Sequence, residues 1–226
     1  MKITWYGHAS FGIENDANIL VVTDPYDPEK TGFKAFPDKA DIVIKSSSND
    51  DFHDNDHLVP KHENTVVIDA LQVAQAGGQS VAFGIEFEAI QAMESDDHPS
   101  GHPDQNGMYR FTMDEISIGH MGDMGNNFSD DQMAFFSGVD VLLAHAGGFP
   151  VISIEELERI INIVEPKLVI PMHYCTPIYI PQDNLPITNF LELFAPADVK
   201  TVAGSSTTIT RESLPEKTTA LVLESN

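Results

Sequence analysis

The sequence predicts a layered α/β domain on three observations. The first half of the chain is a succession of short β-type runs joined by turn residues. Beyond Asp123, strands alternate with helices, the pattern of helices packed on a sheet. The 226 residues contain no linker, repeat or low-complexity tract, so residues 1–226 are expected to bury one core as a single domain.

Ile3–Tyr6, Ser10–Glu14 and Ile19–Thr23 read as an opening meander, separated by Gly7-His8 and by Asn15-Asp16-Ala17-Asn18, which favour turns. Asp24-Pro25 closes the third run. Asp41–Lys45 is a strand whose apolar centre suggests burial on both faces. It empties into the polar loop Ser46–His57. Strands follow at Val66–Asp69, Val81–Phe83 and Phe87–Met93, then a loop rich in breakers from Glu94 to Gly107, long for a mere connection. Met108–Thr112 and Glu115–Gly119 form a hairpin that ends in His120-Met-Gly-Asp123, where Gly119, Gly122 and Gly125 allow sharp turns and close approach.

The second half reads as helix Asp130–Ser137, strand Val139–Ala144, helix Ile154–Val164 with Ser153 as N-cap, and strand Leu168–Pro171 running into His173. A last helix is expected over Pro186–Phe194. Val199–Val202, Thr207–Thr210 and Ala220–Leu223 are expected to finish the second sheet.

Twelve Lys and Arg against 35 Asp and Glu give a net charge of −23, which disfavours binding of a phosphate backbone and makes nucleic acid an unexpected partner. A metal ion can locally reverse that field. Cys175 is the only cysteine, so no intrachain disulfide forms. The opening residues lack a signal peptide's apolar region and no segment reaches the roughly 20 apolar residues of a membrane span. A soluble cytoplasmic protein acting on a small molecule, with no membrane partner, is the expectation.

Four strands terminate in loops carrying His, Asp or Glu: Ser46–His57, Glu94–His102, His120–Asp123 and His173. In layered α/β proteins such ends converge on one edge. Imidazoles and carboxylates brought together point to a metal, since zinc, iron and manganese accept such mixtures.

With these blocks in place, the chain resembles the metallo-β-lactamase superfamily, in particular small hydrolases opening Lys-Ile-Thr-x-x-Gly-His-x-x-Phe, as Lys2 to Phe11 do. Thr23-Asp-Pro25, His120-Met-Gly-Asp123, Val139–Leu143, Gly147-Gly148-Phe149 and Pro166–Tyr174 match in order. The resemblance implies a four-layer αββα sandwich with metal at one edge, Asp123 supplying the bridging carboxylate and His173 the last imidazole.

The departures bear on function. The family's Thr/Ser-His-x-His-x-Asp-His block, laid on without a gap, meets Ser47, Asn49 and Phe52 where imidazoles belong, and only Asp51 survives. A slipped loop could bring in His53, or Asp56 with His57. Glu94 stands where another His is expected, with His98 and His102 nearby. The candidate metal ligands are therefore His53, Glu94, Asp123 and His173, with Asp51 and Asp123 as the carboxylates that orient a nucleophile. His8 is placed at the site edge and His145 is read as structural, although an inward-facing His145 could help rebuild a site. His62 is expected on the surface. The reading is a hydrolase with at most one divalent ion (zinc, manganese or iron), or none; the alternative is a non-catalytic relative that binds a ligand or protein.

Overall fold

The computed structural model describes residues 1–48, 50–94, 106–148 and 151–224. In chain order the elements of its first half are β1 (Lys2–Gly7), β2 (Ser10–Glu14), β3 (Leu20–Thr23), the single turn α1 (Pro28–Thr31), β4 (Ala40–Lys45), β5 (Lys61–Asp69), α2 (Ala70–Gln75), β6 (Gln79–Ala82), β7 (Ile85–Ala92), β8 (Asn106–Met113) and β9 (Ile116–His120). The second half adds α3 (Asp130–Phe136), β10 (Val141–His145), α4 (Ile154–Val164), β11 (Leu168–Met172), α5 (Ile187–Leu191), β12 (Val199–Val202), β13 (Ser206–Thr208) and β14 (Thr219–Leu223).

Two sheets result. One has the order β13-β1-β2-β3-β4-β5, the other β12-β14-β11-β10-β9-β8-β7-β6. β1, β2 and β3 are antiparallel neighbours, whereas β3, β4 and β5 run parallel. A parallel neighbour requires a crossover. Between β3 and β4 that crossover contains α1, capped by the Asp27 side chain at its start and by left-handed Gly32 at its end. In the second sheet β9, β10, β11, β14 and β12 are all parallel. α3 and α4 are the crossovers from β9 to β10 and from β10 to β11. Ser129 with Gln132 forms a capping box on α3, and the expected Ser153 caps α4.

One core fills the space between the sheets and continues beneath the helices. It takes Ile3, Trp5, Phe11, Ile13, Ile42 and Ile44 from the first sheet, Phe87, Phe111, Ile118 and Leu142 from the second, and Phe136, Leu157 and Ile160 from α3 and α4. The intervening residues Tyr6, Val22 and Val43 point to the other face of the first sheet, where Tyr26, Phe33, Phe36 and Tyr179 cover them. β4 is thus buried on both sides, as its sequence predicts. No helix of the described residues is long and apolar enough to cross a membrane.

Two expectations need correction. Ser206–Thr208 does not join the second sheet: it pairs with Lys2–Thr4 of β1 and closes the edge of the first. A strand of three small polar residues has no hydrophobic face by which to assign its sheet. Ala70–Gln75 is a helix the sequence did not signal. It starts where the Asp69 side chain accepts from the Gln72 amide, and it packs on β7 and β8.

Candidate metal centre

The carboxyl ends of β3, β4, β9, β10 and β11 and the β1–β2 turn meet at one rim. Asp24 follows β3, Ser46 to His53 follow β4, Asp123 follows β9, His145 ends β10 and His173 follows β11. Direct contacts join them. Asp24 accepts from the Ser46 amide at 2.9 Å, and the His173 amide donates to the His8 carbonyl at 3.1 Å. That carbonyl also accepts from Trp5 Nε1 at 3.0 Å, while the Trp5 ring stacks on Tyr174 with centroids 5.1 Å apart. The first sheet is thereby pinned to the second beside the site. The end of β7 is tied in as well, since the Gly125 amide donates to the Met93 carbonyl at 2.7 Å.

The backbone at this rim is unusual. His8, Asp24 and His173 all lie in the left-handed region, at φ of 49°, 34° and 57°. Such residues cost roughly 1–3 kcal/mol each and persist only where surrounding contacts fix them. Gly147 shows how tight the fixing is: a Cβ there would meet the His173 carbonyl oxygen at 1.9 Å and Asn184 Nδ2 at 2.6 Å. Gly147→Ala is expected to displace the His173 segment and cost about 1–3 kcal/mol in urea denaturation. An unchanged midpoint would show that this contact relaxes freely.

His8, His53 and His173 present ring nitrogens that all lie within 4.8 Å of one another, and all three residues are buried. Asp123 adjoins two of them, its Oδ1 lying 3.5 Å from both His53 Nε2 and His173 Nε2. Nε2 of His8 and Nε2 of His53 are buried without a hydrogen-bond partner. Burial, with the charge of His53 and then His145, holds His8 well below the ordinary imidazole range; burial with His8, His145 and His53 does the same to His173. Both rings are neutral at physiological pH, the state in which imidazole binds metal. Burial alone would lower His53, but Asp123, Asp50 and the bond to Asp24 outweigh it and push it up to about 10. Without an ion, therefore, this cluster holds a proton on His53 against the carboxylates.

Asp24 anchors the arrangement. Fully buried, it accepts from Ser46 N at 2.9 Å, Ser46 Oγ at 2.6 Å, Tyr109 OH at 3.1 Å and His53 Nδ1 at 2.9 Å. Burial would raise its pKa, yet His120, His53 and Ser46 outweigh that and hold it below the usual carboxylate value. The Nδ1–H of His53 given to a carboxylate leaves Nε2 as the free nitrogen, the arrangement that orients a metal-binding imidazole. Asn184 plays a similar part for His173, with Nδ2 at 3.0 Å from Nδ1. The same Nδ2 donates to the His173 carbonyl at 3.1 Å, so one amide holds the ring and the backbone of His173 together.

These residues fit an ion. They supply clustered, neutral or deprotonatable nitrogens, an adjacent carboxylate, and buried atoms whose bonding is otherwise unmet. Residues 2–173 match the family model described as the Beta-lactamase superfamily domain. The chain belongs to the metallo-β-lactamase superfamily. A protein of Pelotomaculum thermopropionicum named a UPF0173 metal-dependent hydrolase is 26% identical over 223 residues, covering 88% of this chain and 96% of its own. A relative of the same name from Methanoculleus marisnigri is 29% identical over 196 residues, covering 78% and 82%. Among solved structures, a Zn-dependent hydrolase of the metallo-β-lactamase superfamily from Thermotoga maritima superposes with a TM-score of 0.76 at 28% identity, over 100% of this chain and 99% of that one.

Within the metallo-β-lactamase fold the sequence-predicted residues divide. The structure brings His53, Asp123 and His173 together. Glu94, just past β7, stands near enough for its charge to raise the Asp123 pKa, behind burial and alongside Asp50. Asp51 is not brought in: its side chain is exposed and pairs with Lys30. The ungapped alignment put it in the site, but the loop turns so that His53 faces inward in its place. Phe52 meets the His8 ring edge-on, with centroids 5.5 Å apart. His57 and His62 are exposed, while Asn49, His98 and His102 lie outside the described residues.

His8 is a central member of the cluster rather than an edge residue. A Gly-His pair in a hairpin turn carries no local sign of that. Asp24, Tyr109 and Asn184 were missed altogether. Asp24-Pro25 reads as a turn, and the other two act through contacts distant in sequence. His120 is occupied, with Nε2 at 2.9 Å from the Ala9 carbonyl and Nδ1 accepting from the Gly122 amide at 2.9 Å, which takes it out of the ligand set.

Proposed function

We propose that this protein is a metal-dependent hydrolase whose single divalent ion is held by His8, His53 and His173, with Asp123 alongside. One observation carries the reading. Among the described residues, the buried side-chain polar atoms without a partner include His8 Nε2 and His53 Nε2, and these belong to two of the three imidazoles whose ring nitrogens cluster. Buried orphans are rare because each costs about 1–3 kcal/mol, so their collection in one place calls for a ligand. A nitrogen-rich set of this kind suits zinc or iron better than manganese.

A bound ion supplies Lewis-acid polarisation of an ester, amide or phosphoryl oxygen. The chain supplies the rest. The Asp123 carboxylate, 3.5 Å from His53 Nε2 and His173 Nε2, stands where it can orient a nucleophile beside the ion. Asp24 fixes the His53 ring, Asn184 fixes His173, and the Tyr179 ring, 5.4 Å from that of His8, walls the site.

The test is elemental analysis of protein purified without a polyhistidine tag, followed by assays against aryl esters, lactones and phosphodiesters. One ion per chain is expected, falling at least tenfold in Asp123→Ala and His173→Ala and unchanged in the surface variant His62→Ala. A folded wild-type protein that takes up no ion and hydrolyses nothing would overturn the proposal in favour of a non-catalytic binding protein.

A further inference from the structure

The loop that follows His173 is firmly fixed, yet it leaves apolar side chains in water. The Cys175 amide donates to the Leu185 carbonyl at 2.9 Å, the Ile180 amide to the Thr31 carbonyl at 3.0 Å, and Gln182 Nε2 to the Thr176 carbonyl at 2.9 Å. Tyr179 is buried, its ring stacked on Phe33 with centroids 6.1 Å apart and lying 5.4 Å from the ring of His8. Its neighbours in the loop, Ile178, Ile180 and Leu185, are 42%, 59% and 37% exposed. Scattered singly, such residues would mean nothing; three in one bonded loop beside a buried cluster of imidazoles form a patch. Leu185 borders the site, since a Cβ on Gly148 would meet its Cδ1 at 2.6 Å, one residue from the Gly147 that packs on the His173 carbonyl. From the loop after β4, half-buried Phe52 meets the His8 ring edge-on.

The same rim offers an anion little. The loops after β4, β9, β10 and β11, residues 46–60, 121–129, 146–153 and 173–186, contain six Asp and no Lys or Arg. Lys30 of α1 and Lys45 of β4 are already paired, the first with Asp51 and the second with Asp54 and Asp56. Three carboxylates adjoin His53: Asp24 at 2.9 Å from Nδ1, Asp123 at 3.5 Å from Nε2, and Asp50, which accepts from the His53 amide at 2.7 Å. A divalent ion brings two positive charges to that group, so it does not reverse the local field, and these loops hold no guanidinium or ammonium group to bind a phosphate or carboxylate.

We infer that the substrate is an uncharged carboxylic ester whose apolar acyl chain packs against Phe52, Ile178, Tyr179, Ile180 and Leu185, with its carbonyl at the imidazole cluster. The inference rests on the metal-dependent hydrolase proposed above and names its substrate class. In the reaction the oxygen of water bonds to the acyl carbon, the ester C–O bond breaks, and an alcohol, a carboxylate and one proton leave. A neutral substrate thus becomes an anion, whose departure the rim carboxylates favour.

The experiment measures kcat/KM of the zinc-loaded protein for para-nitrophenyl acetate, para-nitrophenyl hexanoate, the mono-para-nitrophenyl ester of adipic acid and bis-para-nitrophenyl phosphate. The adipate monoester matches the hexanoate in length but ends in a carboxylate. Calorimetry with methyl hexyl ketone, which has no leaving group, and with its carboxylate-tipped counterpart reads binding apart from turnover. The hexanoate is expected to exceed the acetate and the adipate monoester by about tenfold or more, and the uncharged ketone to bind about tenfold more tightly than the charged one. In the double variant Ile178→Ser, Ile180→Ser the KM for the hexanoate rises several-fold with metal content intact, whereas Ile163→Ser, which alters an exposed apolar residue on α4, changes neither. Any of four results would overturn this substrate assignment and leave the metal centre standing: equal or faster turnover of the adipate monoester or phosphodiester, equal binding of the two ketones, an unchanged hexanoate KM in the double variant, or no ester hydrolysis by protein that holds its ion. A folded protein that takes up no ion and hydrolyses nothing would overturn the proposed function itself.

Discussion

Replacing Asp24 by alanine is expected to destabilise the fold by about 3–5 kcal/mol, the usual result of removing one partner from a buried charged network. The change strands the Ser46 amide, the Ser46 and Tyr109 hydroxyls and His53 Nδ1, all inside the protein. Asp24 also adopts a left-handed backbone at φ 34°, a conformation those bonds help to hold. Asp24→Asn keeps an acceptor oxygen but loses the charge, so its loss should be smaller. Urea denaturation of metal-free protein provides the measurement. A loss below about 1 kcal/mol for alanine would mean that water replaces the carboxylate and that Asp24 does not hold the rim together. The metal-loaded protein should show a second effect, because His53 without its carboxylate partner is free to rotate.

Much of the architecture is legible because strands and amphipathic helices write their period into the sequence. β4, β10 and β11 are apolar runs that end abruptly, β4 in a polar loop, and α4 announces its start with Ser153 and two glutamates. Asp123 and His173 were legible for the same reason: each follows an apolar strand. The remainder of the site depends on contacts that no local pattern records. Tyr109 reaches Asp24 across 85 residues of sequence, and Asn184 reaches His173 from a loop whose position is set by Gly147. Asp51 was over-read because an ungapped alignment fixes residue type but not side-chain direction. His8 was under-read because a turn residue shows its role only once β11 has docked beside it. The misplacement of β13 has a similar origin, since its pairing with β1 joins residues about two hundred positions apart, Lys2 with Thr208.

Rebuilding the family's first block is expected to change metal stoichiometry more than any single substitution. Two neighbouring ions need several ligands each, and the loop after β4 contributes one inward imidazole, His53, where the family block contributes three. Ser47 is buried and Phe52 already meets the His8 ring edge-on, so imidazoles at these positions would start close to the existing cluster. The combined variant Ser47→His, Asn49→His and Phe52→His is therefore expected to raise bound zinc from one ion per chain toward two, and to raise phosphodiester turnover, which a two-ion clamp on attacking and leaving oxygens favours. Elemental analysis of the folded variant, with Phe52→His alone as an intermediate step, measures the change. Crowding sets the competing cost: Ser47 is 2% exposed, and enlarging a packed site costs about 1–3 kcal/mol, so stability must be read alongside metal content. A stable triple variant that still binds one ion would show that ligand loss is not what limits this centre. Two fully occupied ions in the unmodified protein, with His53 among their ligands, would show instead that the loop had already restored a dinuclear site in a different register.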